Sequence, residues 1–408
     1  MPATENQPSF LGRISIRRNQ VSAMDMNHEQ ELEDLELFQR HVADRFVELS
    51  SSPQSDHHHH QHQHHHQQSS EPLLSVGWLR KLVDVFLCCE AEFKAVLIMG
   101  RDPSQITKPP LDKLLPELQE RAVKALDICN AVSGGVDSVR QCQKLAEIAV
   151  SALEQKPYGD GQIKRAKRAL SCLLTALSIE DKETSHNHHH KYPERAWSFG
   201  KRGGNSHAGK DRAAVVPFRS LTMVVAKNWS AAKQIQAMCN NLVAPRGGEP
   251  TGVASPVYMM GAVMVFVMWA LVAAIPCQER NGLPTHFQMP RQTVWAQSLV
   301  GLQEKIGEEW KKKEKKGCAG LLEEMQRMEK LAQSLIEFAD GYQFPGEEGK
   351  VDEVAAQVEE LAEICGRLEE GLVPLQLQIR EAFHRIVRSR TEVIDLLENA
   401  GKVTPTIV

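Results

Sequence analysis

The chain has 408 residues, 42% of them hydrophobic and 25% charged, with a formal net charge of −4 at pH 7. This length and composition indicate a globular protein with a substantial core, and the near balance of charge argues against a dedicated nucleic-acid-binding protein. None of the nine cysteines forms a C-x-x-C pair, which favours buried thiols in a reducing compartment over a disulfide framework or a zinc site. The first twenty residues lack the apolar run of a secretory signal peptide, so entry into the secretory lumen is not expected.

Apolar residues recur every three or four positions along most of the chain, which is the period of an α-helix and not of a strand. We predict a flexible arm over residues 1–23, an N-terminal helical region over 24–181 and a C-terminal helical region over 220–408. In the first region the apolar stripes cover 32–49, 79–96, 115–132, 142–152 and 163–177. In the second they cover 299–316, 320–340, 351–371 and 375–400. The predicted fold class is therefore all-α, a multi-helix bundle or a pair of bundles with long amphipathic helices.

A tract rich in histidine and glutamine interrupts the helical pattern over residues 50–72. Clustered imidazoles can bind zinc, copper or nickel, which makes this tract a weak metal-site candidate. Its histidines are His57, His58, His59, His60, His62, His64, His65 and His66. No cysteine or carboxylate cluster fixes a coordination geometry around them, so we favour a low-complexity linker, with metal buffering as an alternative.

The run SGGVDS at residues 133–138 resembles the phosphate-binding signature of the ATP pyrophosphatases, which adenylate a substrate. Such an enzyme would use Ser133, Gly134, Gly135, Asp137 and Ser138. The signature needs a buried strand before the glycines, whereas the preceding residues, RAVKALDICNAV, follow a helical pattern. We therefore predict a helix-turn-helix, in which a glycine ends one helix and Asp137 or Ser138 caps the next.

A second interruption, over residues 182–219, is locally basic and rich in glycine and serine. From Lys191 to Arg219 the segment contains seven lysines and arginines but only two acidic residues, Glu194 and Asp211. The segment is either an electrostatic contact with anionic lipid or an acidic partner, or a solvated connector between two helical regions. The residues alone leave both interpretations open.

The segment PVYMMGAVMVFVMWALVAAIPC, residues 256–277, is the most apolar part of the chain. About twenty residues between Pro256 and Pro276, including Val265 and Trp269, carry no charge, and as a helix they would span roughly 30 Å, the thickness of a bilayer core. Hydropathy thus favours a single membrane span and a membrane-associated protein; the alternative is the buried central helix of a cytosolic bundle. Basic residues flank the segment on both sides, so they indicate no orientation.

Three stretches carry a family resemblance: FQRHVADRFVELS, the long block from WLRKLVDVFLCCEAEFKAVLIMGRDPSQITKPPLD to the end of ICNAV, and FHRIVRSRTEVIDLL. They resemble the land-plant BYPASS/ROH family over most of the chain. The resemblance implies a helical regulatory protein without catalytic residues or a cofactor. Its ROH side, to which this sequence is more similar, implies binding to the seventy-kilodalton subunits of the exocyst, which tethers secretory vesicles to the plasma membrane. Its BYPASS side implies restraint of a root-derived signal that affects shoot growth.

No Ser-His-Asp arrangement, metal-binding helix motif or paired-carboxylate site stands out in the sequence. Together with the helical periodicity, the apolar segment and the family resemblance, which implies the exocyst partner, this leads us to expect a non-enzymatic adaptor whose amphipathic helices bind an exocyst subunit near a membrane. The alternative is a BYPASS-like negative regulator of a mobile growth signal, and a remote alternative is an adenylating enzyme that uses SGGVDS.

Overall fold

The computed structural model describes residues 24–51, 71–98, 106–156, 158–177, 229–240, 242, 254–277, 282–289, 293–314, 320–342 and 348–402. The predicted arm over 1–23, the basic segment over 182–219 and all eight histidines of the tract lie outside the described residues. What was predicted for those segments stays a prediction.

The described residues form nine α-helices and no strand, which confirms the all-α prediction for this part of the chain. In order they are α1 (Met24–Ser50), α2 (Val76–Ile98), α3 (Leu111–Leu153), α4 (Asp160–Leu177), α5 (Ala231–Asn240), α6 (Ala254–Ala274), α7 (Val294–Glu314), α8 (Glu323–Gly341) and α9 (Glu348–Lys402). Each apolar stripe found in the sequence coincides with one of these helices over most of its length, and residues 315–316 at the end of one stripe lie outside the described residues.

The predicted turn at residues 133–138 is wrong, because the helix continues through it, and two other neighbouring stripes also share one helix. The stripes over 115–132 and 142–152 lie on the single helix α3, and those over 351–371 and 375–400 lie on α9 with Pro374 inside it. A proline removes one backbone hydrogen bond from a helix interior. The turns of α9 on both sides of Pro374 pack against α2 and α3, which offsets that loss.

The apolar helix α6 lies in the middle of the bundle, where α1, α2, α3, α5 and α7 all contact it. Beside this group, α3 and α9 pack together, and α4 and α8 complete a second layer against them. The rings of Phe46 and Phe266 meet edge to face with their centroids 5.7 Å apart, and the sulfur atoms of Cys129 and Met268 are 3.9 Å apart. The described helices of the two predicted regions thus share one hydrophobic core.

The start of α8 is tied to the end of α6 and to the start of α2. The backbone N–H groups of Leu321 and Leu322 donate to the carbonyls of Ala273 and Ala274 at 2.9 and 3.1 Å. The Glu324 carboxylate accepts from the Val76 N–H, with N–O distances of 3.1 and 3.2 Å. Because an unpaired N–H at a helix start needs an acceptor, this carboxylate caps α2 from a distant part of the chain.

Candidate functional site

Residues 133–138 lie in the middle of α3 and form no phosphate-binding loop. The hydroxyl of Ser133 donates to the Cys129 carbonyl at 2.9 Å, as serines inside helices often do, and Asp137 pairs with Arg140 one turn later at 2.7 Å. Backbone N–H groups inside a helix are already bonded to carbonyls four residues earlier, so they cannot hold an anion. The helix-turn-helix prediction and the adenylating loop are therefore both wrong for this segment.

The two glycines of this run have different surroundings. A β-carbon at Gly134 would meet open space, whereas one at Gly135 would lie 2.1 Å from the carbonyl oxygen of Pro276 and 2.6 Å from the Ile275 side chain. Gly135 is therefore needed for the close packing of α3 against the end of α6, and not for a turn.

Of the four residues named above in the apolar segment, Pro256, Val265 and Trp269 lie in α6, and Pro276 lies just beyond its last turn. Val265 and Trp269 are fully buried, Pro256 is buried and Pro276 is half-buried. The Trp269 indole N–H donates to the Pro284 carbonyl at 2.6 Å. Within the described residues α6 is the one helix long and apolar enough to cross a membrane, yet its whole apolar stretch is covered by neighbouring helices.

The described residues offer no group of three or more histidine, cysteine, aspartate or glutamate side chains that could hold a metal ion. A cavity of about 110 Å³ lies between residues 286–289 and α7, beside Val300 and Gln303. The Gln303 amide donates to the Phe287 carbonyl at 3.3 Å and so fixes one wall. This volume holds a few water molecules and is too small for a nucleotide.

Several charged side chains lie between helices, where they join one helix to another. Arg45 of α1 forms a two-pronged pair with Glu92 of α2, with N–O distances of 3.1 and 2.6 Å, and His41 contacts the same carboxylate at 3.3 Å. Hydrogen bonding to Glu92 raises the pKa of Arg45. Burial raises the pKa of Glu324 to about 6. These side chains link one helix of the bundle to another.

The outer face of α9 is a helix surface that no other described helix covers. Helices α2, α3 and α8 contact the other sides of α9. Val373 and Leu377 are 52% and 58% exposed at the centre of this face, one helical turn apart, and so form an apolar pair on it. The face is formed by Glu363, Gly366, Glu370, Val373, Leu377, Arg380, His384 and Arg388, and we call it the α9 outer face.

We did not predict this face from the sequence, although the sequence contains a signal for it. Val373 and Leu377 alternate with Leu372, Leu375 and Ile379, which are buried against the bundle. Periodicity cannot tell which of two overlapping apolar rows points outward, because both repeat at helical spacing. The only hint was that Val373 and Leu377 lie between an acidic stretch and a basic one.

The fold and these surfaces define a helical-bundle protein whose described residues form neither a phosphate loop nor a metal cluster. The chain belongs to the ROH1-like family: the family model described as "Protein ROH1-like" matches residues 1–397. It is 59% identical over 415 residues to Protein ROH1A of Arabidopsis thaliana, covering 100% of both chains. It is 43% identical to Protein ROH1D of the same plant over 414 residues, covering 97% of this chain and 98% of the relative. No solved structure matches the chain significantly.

The predicted resemblance to the BYPASS/ROH family is thereby confirmed, on its ROH side. The chain is thus a member of a plant protein family, and the part of it that the structure describes is all-α.

Proposed function

We propose that this chain is a non-enzymatic adaptor that binds an exocyst subunit of the seventy-kilodalton class and modulates secretion at the plasma membrane. The observation that carries the proposal is the match to the ROH1-like family along nearly the whole chain. The resemblance to the ROH branch implies that partner. An all-α bundle with exposed helix faces supports it, because helices bind other helical proteins through such faces.

We further propose that α6 stays inside the bundle when the protein works at a membrane. To insert, α6 would have to leave contacts with five helices and expose the apolar faces that they bury against it. The protein then reaches the plasma membrane through its exocyst partner or through the basic segment over 182–219, in which each lysine or arginine near anionic lipid contributes about 1 kcal/mol. Its location is the cytosolic face of the membrane.

The partner is tested by incubating the purified full-length protein with purified seventy-kilodalton exocyst subunits and, as specificity controls, with other subunits of the complex. We expect retention of a seventy-kilodalton subunit and no retention of the controls. Binding to none of the exocyst subunits would refute the proposed partner.

The membrane role is tested by alkaline-carbonate extraction of membranes from plant cells that express the full-length protein. We expect the protein in the supernatant, because carbonate removes peripheral proteins but leaves a spanning helix in the pellet. A single-span membrane protein from the same cells is the control and must stay in the pellet. Retention of the full-length protein beside it would show that α6 spans the bilayer.

A further inference from the structure

The α9 outer face carries charges that have no partner within the described chain. Glu370 and Arg380 are exposed, and neither forms an ion pair with another described residue. By contrast, Glu381, on the same side of the helix, pairs with Arg385 of α9 at 2.8 Å. At 100° of rotation per residue, the residues of the face lie within an arc of about 100°. One continuous strip of solvent-exposed helix therefore presents acidic, apolar and basic groups in that order.

The order of these groups is symmetric about Leu375. Val373 and Leu377 lie two residues to either side of it, and Glu370 and Arg380 lie five residues to either side. An acidic residue on one side of the centre thus corresponds to a basic residue on the other. A surface with this property is complementary to a copy of itself turned end to end.

We propose that two copies of this chain associate through their α9 outer faces as an antiparallel dimer. Its two-fold axis passes between the two α9 helices at the level of Leu375 along the helix. In that arrangement residue i of one copy lies opposite residue 750 − i of the other. Val373 then packs on Leu377 of the second copy at the axis, and Glu370 faces Arg380 on both sides of it. The outer face is buried by its own counterpart, with an apolar centre and a charged rim.

The ends of the face fit the same register. Glu363 corresponds in position to Arg388 within one residue, and Gly366 corresponds to His384. A β-carbon at Gly366 would meet open space, so the glycine leaves room for the His384 ring of a second copy. The strip from Glu363 to Arg388 is about 39 Å long at 1.5 Å per residue, enough for a helix-pair interface.

This dimer goes beyond the proposed adaptor function, since its formation requires no exocyst subunit. Charged rims make association salt-dependent, so the dimer weakens as ionic strength rises. Each exposed ion pair contributes little to the free energy of association. The four pairs around the apolar centre therefore determine the register in which the two helices pair more than they raise the affinity.

The proposal is tested by sedimentation velocity on the full-length protein over roughly 1 to 100 µM at low salt. The variants are Glu370→Arg, Arg380→Glu and the double variant, with Glu337→Arg on exposed α8 surface as the matched control. We expect a concentration-dependent dimer that each single reversal weakens about tenfold or more, since like charges then face each other twice. The double variant restores dimerisation, because opposite charges face each other again, and Glu337→Arg leaves it unchanged.

A wild-type protein that stays monomeric over this range overturns the proposal. A dimer that the single reversals do not weaken, or that the double variant does not restore, also overturns it, because the interface then lies elsewhere. The variants change exposed helix positions and are checked for unchanged helical circular dichroism. Leu377→Ser provides a charge-independent variant, which we expect to weaken the dimer at low and at high salt alike. Exocyst binding is measured separately on the same proteins, so that loss of one property is distinguished from loss of the other.

Discussion

Gly135, in the middle of α3, lies directly against the carbonyl group of Pro276, which follows α6. A β-carbon on Gly135 would lie 2.1 Å from the Pro276 oxygen, far closer than such atoms approach in folded proteins. Only a glycine lets the two helices meet here, and the backbone on the Pro276 side cannot move away as a flexible side chain could. Of the two glycines that suggested a phosphate loop, Gly135 therefore serves to let α3 pack closely against the end of α6.

The two neighbouring glycines should respond to alanine in opposite ways. We expect Gly135→Ala to lower the free energy of unfolding by about 3 kcal/mol, because the new methyl group collides with backbone. Gly134→Ala should raise it by about 0.5–1 kcal/mol, since alanine is the better helix former and the site is open. Urea denaturation of both variants measures the difference. Equal effects of the two substitutions would contradict the packing described for α3.

Glu324 should make the free energy of unfolding fall as the pH rises, which is the opposite of the usual effect of a carboxylate. Burial raises the pKa of its carboxyl from 4.5 to about 6 in the folded protein, so the folded state binds the proton more tightly than the unfolded state does. Stability from this group is therefore fully present below about pH 4.5 and is lost as pH rises through about 6.

Glu324→Gln keeps an oxygen acceptor for the Val76 N–H but removes the buried charge. Relative to the wild type, we expect a gain in unfolding free energy that grows between about pH 4.5 and 6.5 and reaches about 2 kcal/mol at neutral pH. Chemical denaturation at a series of pH values measures it. Glu337→Gln, at an exposed position of α8, serves as the control and should change stability by less than about 0.5 kcal/mol. A variant that is less stable at pH 7 than the wild type would show that the carboxylate charge itself stabilises the start of α2.

The cysteines of the described chain should differ sharply in reactivity. Burial raises the pKa of the Cys129 and Cys89 thiols to about 12, so almost no thiolate forms at pH 8. Cys88 and Cys172 are exposed. We expect a thiol-alkylating reagent at pH 8 to modify Cys88 and Cys172 within minutes and the two buried thiols only after unfolding. Peptide mass spectrometry with and without denaturant gives the readout, and rapid native labelling of Cys129 would show that the α3–α6 interface opens.

The Arg45–Glu92 pair should contribute measurably to the contact between α1 and α2. Both side chains are largely buried, and the carboxylate receives two hydrogen bonds from the guanidinium. A double-mutant cycle with Arg45→Met and Glu92→Gln should give a coupling energy of about 1–3 kcal/mol. The same cycle on the exposed pair of Lys164 and Asp160 should give about 0.3–0.5 kcal/mol. Similar coupling in both cycles would mean that burial adds nothing to the Arg45–Glu92 interaction.

The sequence alone was sufficient to identify the helices, because the buried face of an amphipathic helix leaves a local pattern. Leu32, Leu35 and Phe38, for example, repeat at the spacing of α1, and similar rows mark every described helix longer than ten residues except α6, which is apolar on all sides. The family resemblance came from the sequence as well, since a long shared block such as GRDPSQITKPPLD is a property of residue order.

Helix ends were predicted less well, because whether a glycine or a proline ends a helix depends on the residues that pack around it. Gly135 and Pro374 each have a local tendency to end a helix, and each lies inside one. What prevents the break is packing by distant residues, Pro276 in the first case and the helices beside α9 in the second. Tertiary packing of this kind outweighs a local preference of about 1–3 kcal/mol.

Only the tertiary structure decided what surrounds each apolar surface. Hydropathy gives α6 the same value whether lipid or protein covers it, and the fold shows five helices around it. In the same way, Val373 and Leu375 are similar apolar residues two positions apart, yet one is exposed and the other is buried. The physical reason is that the sequence specifies how much apolar surface each helix must bury, whereas the positions of the neighbouring helices determine which part of it is buried.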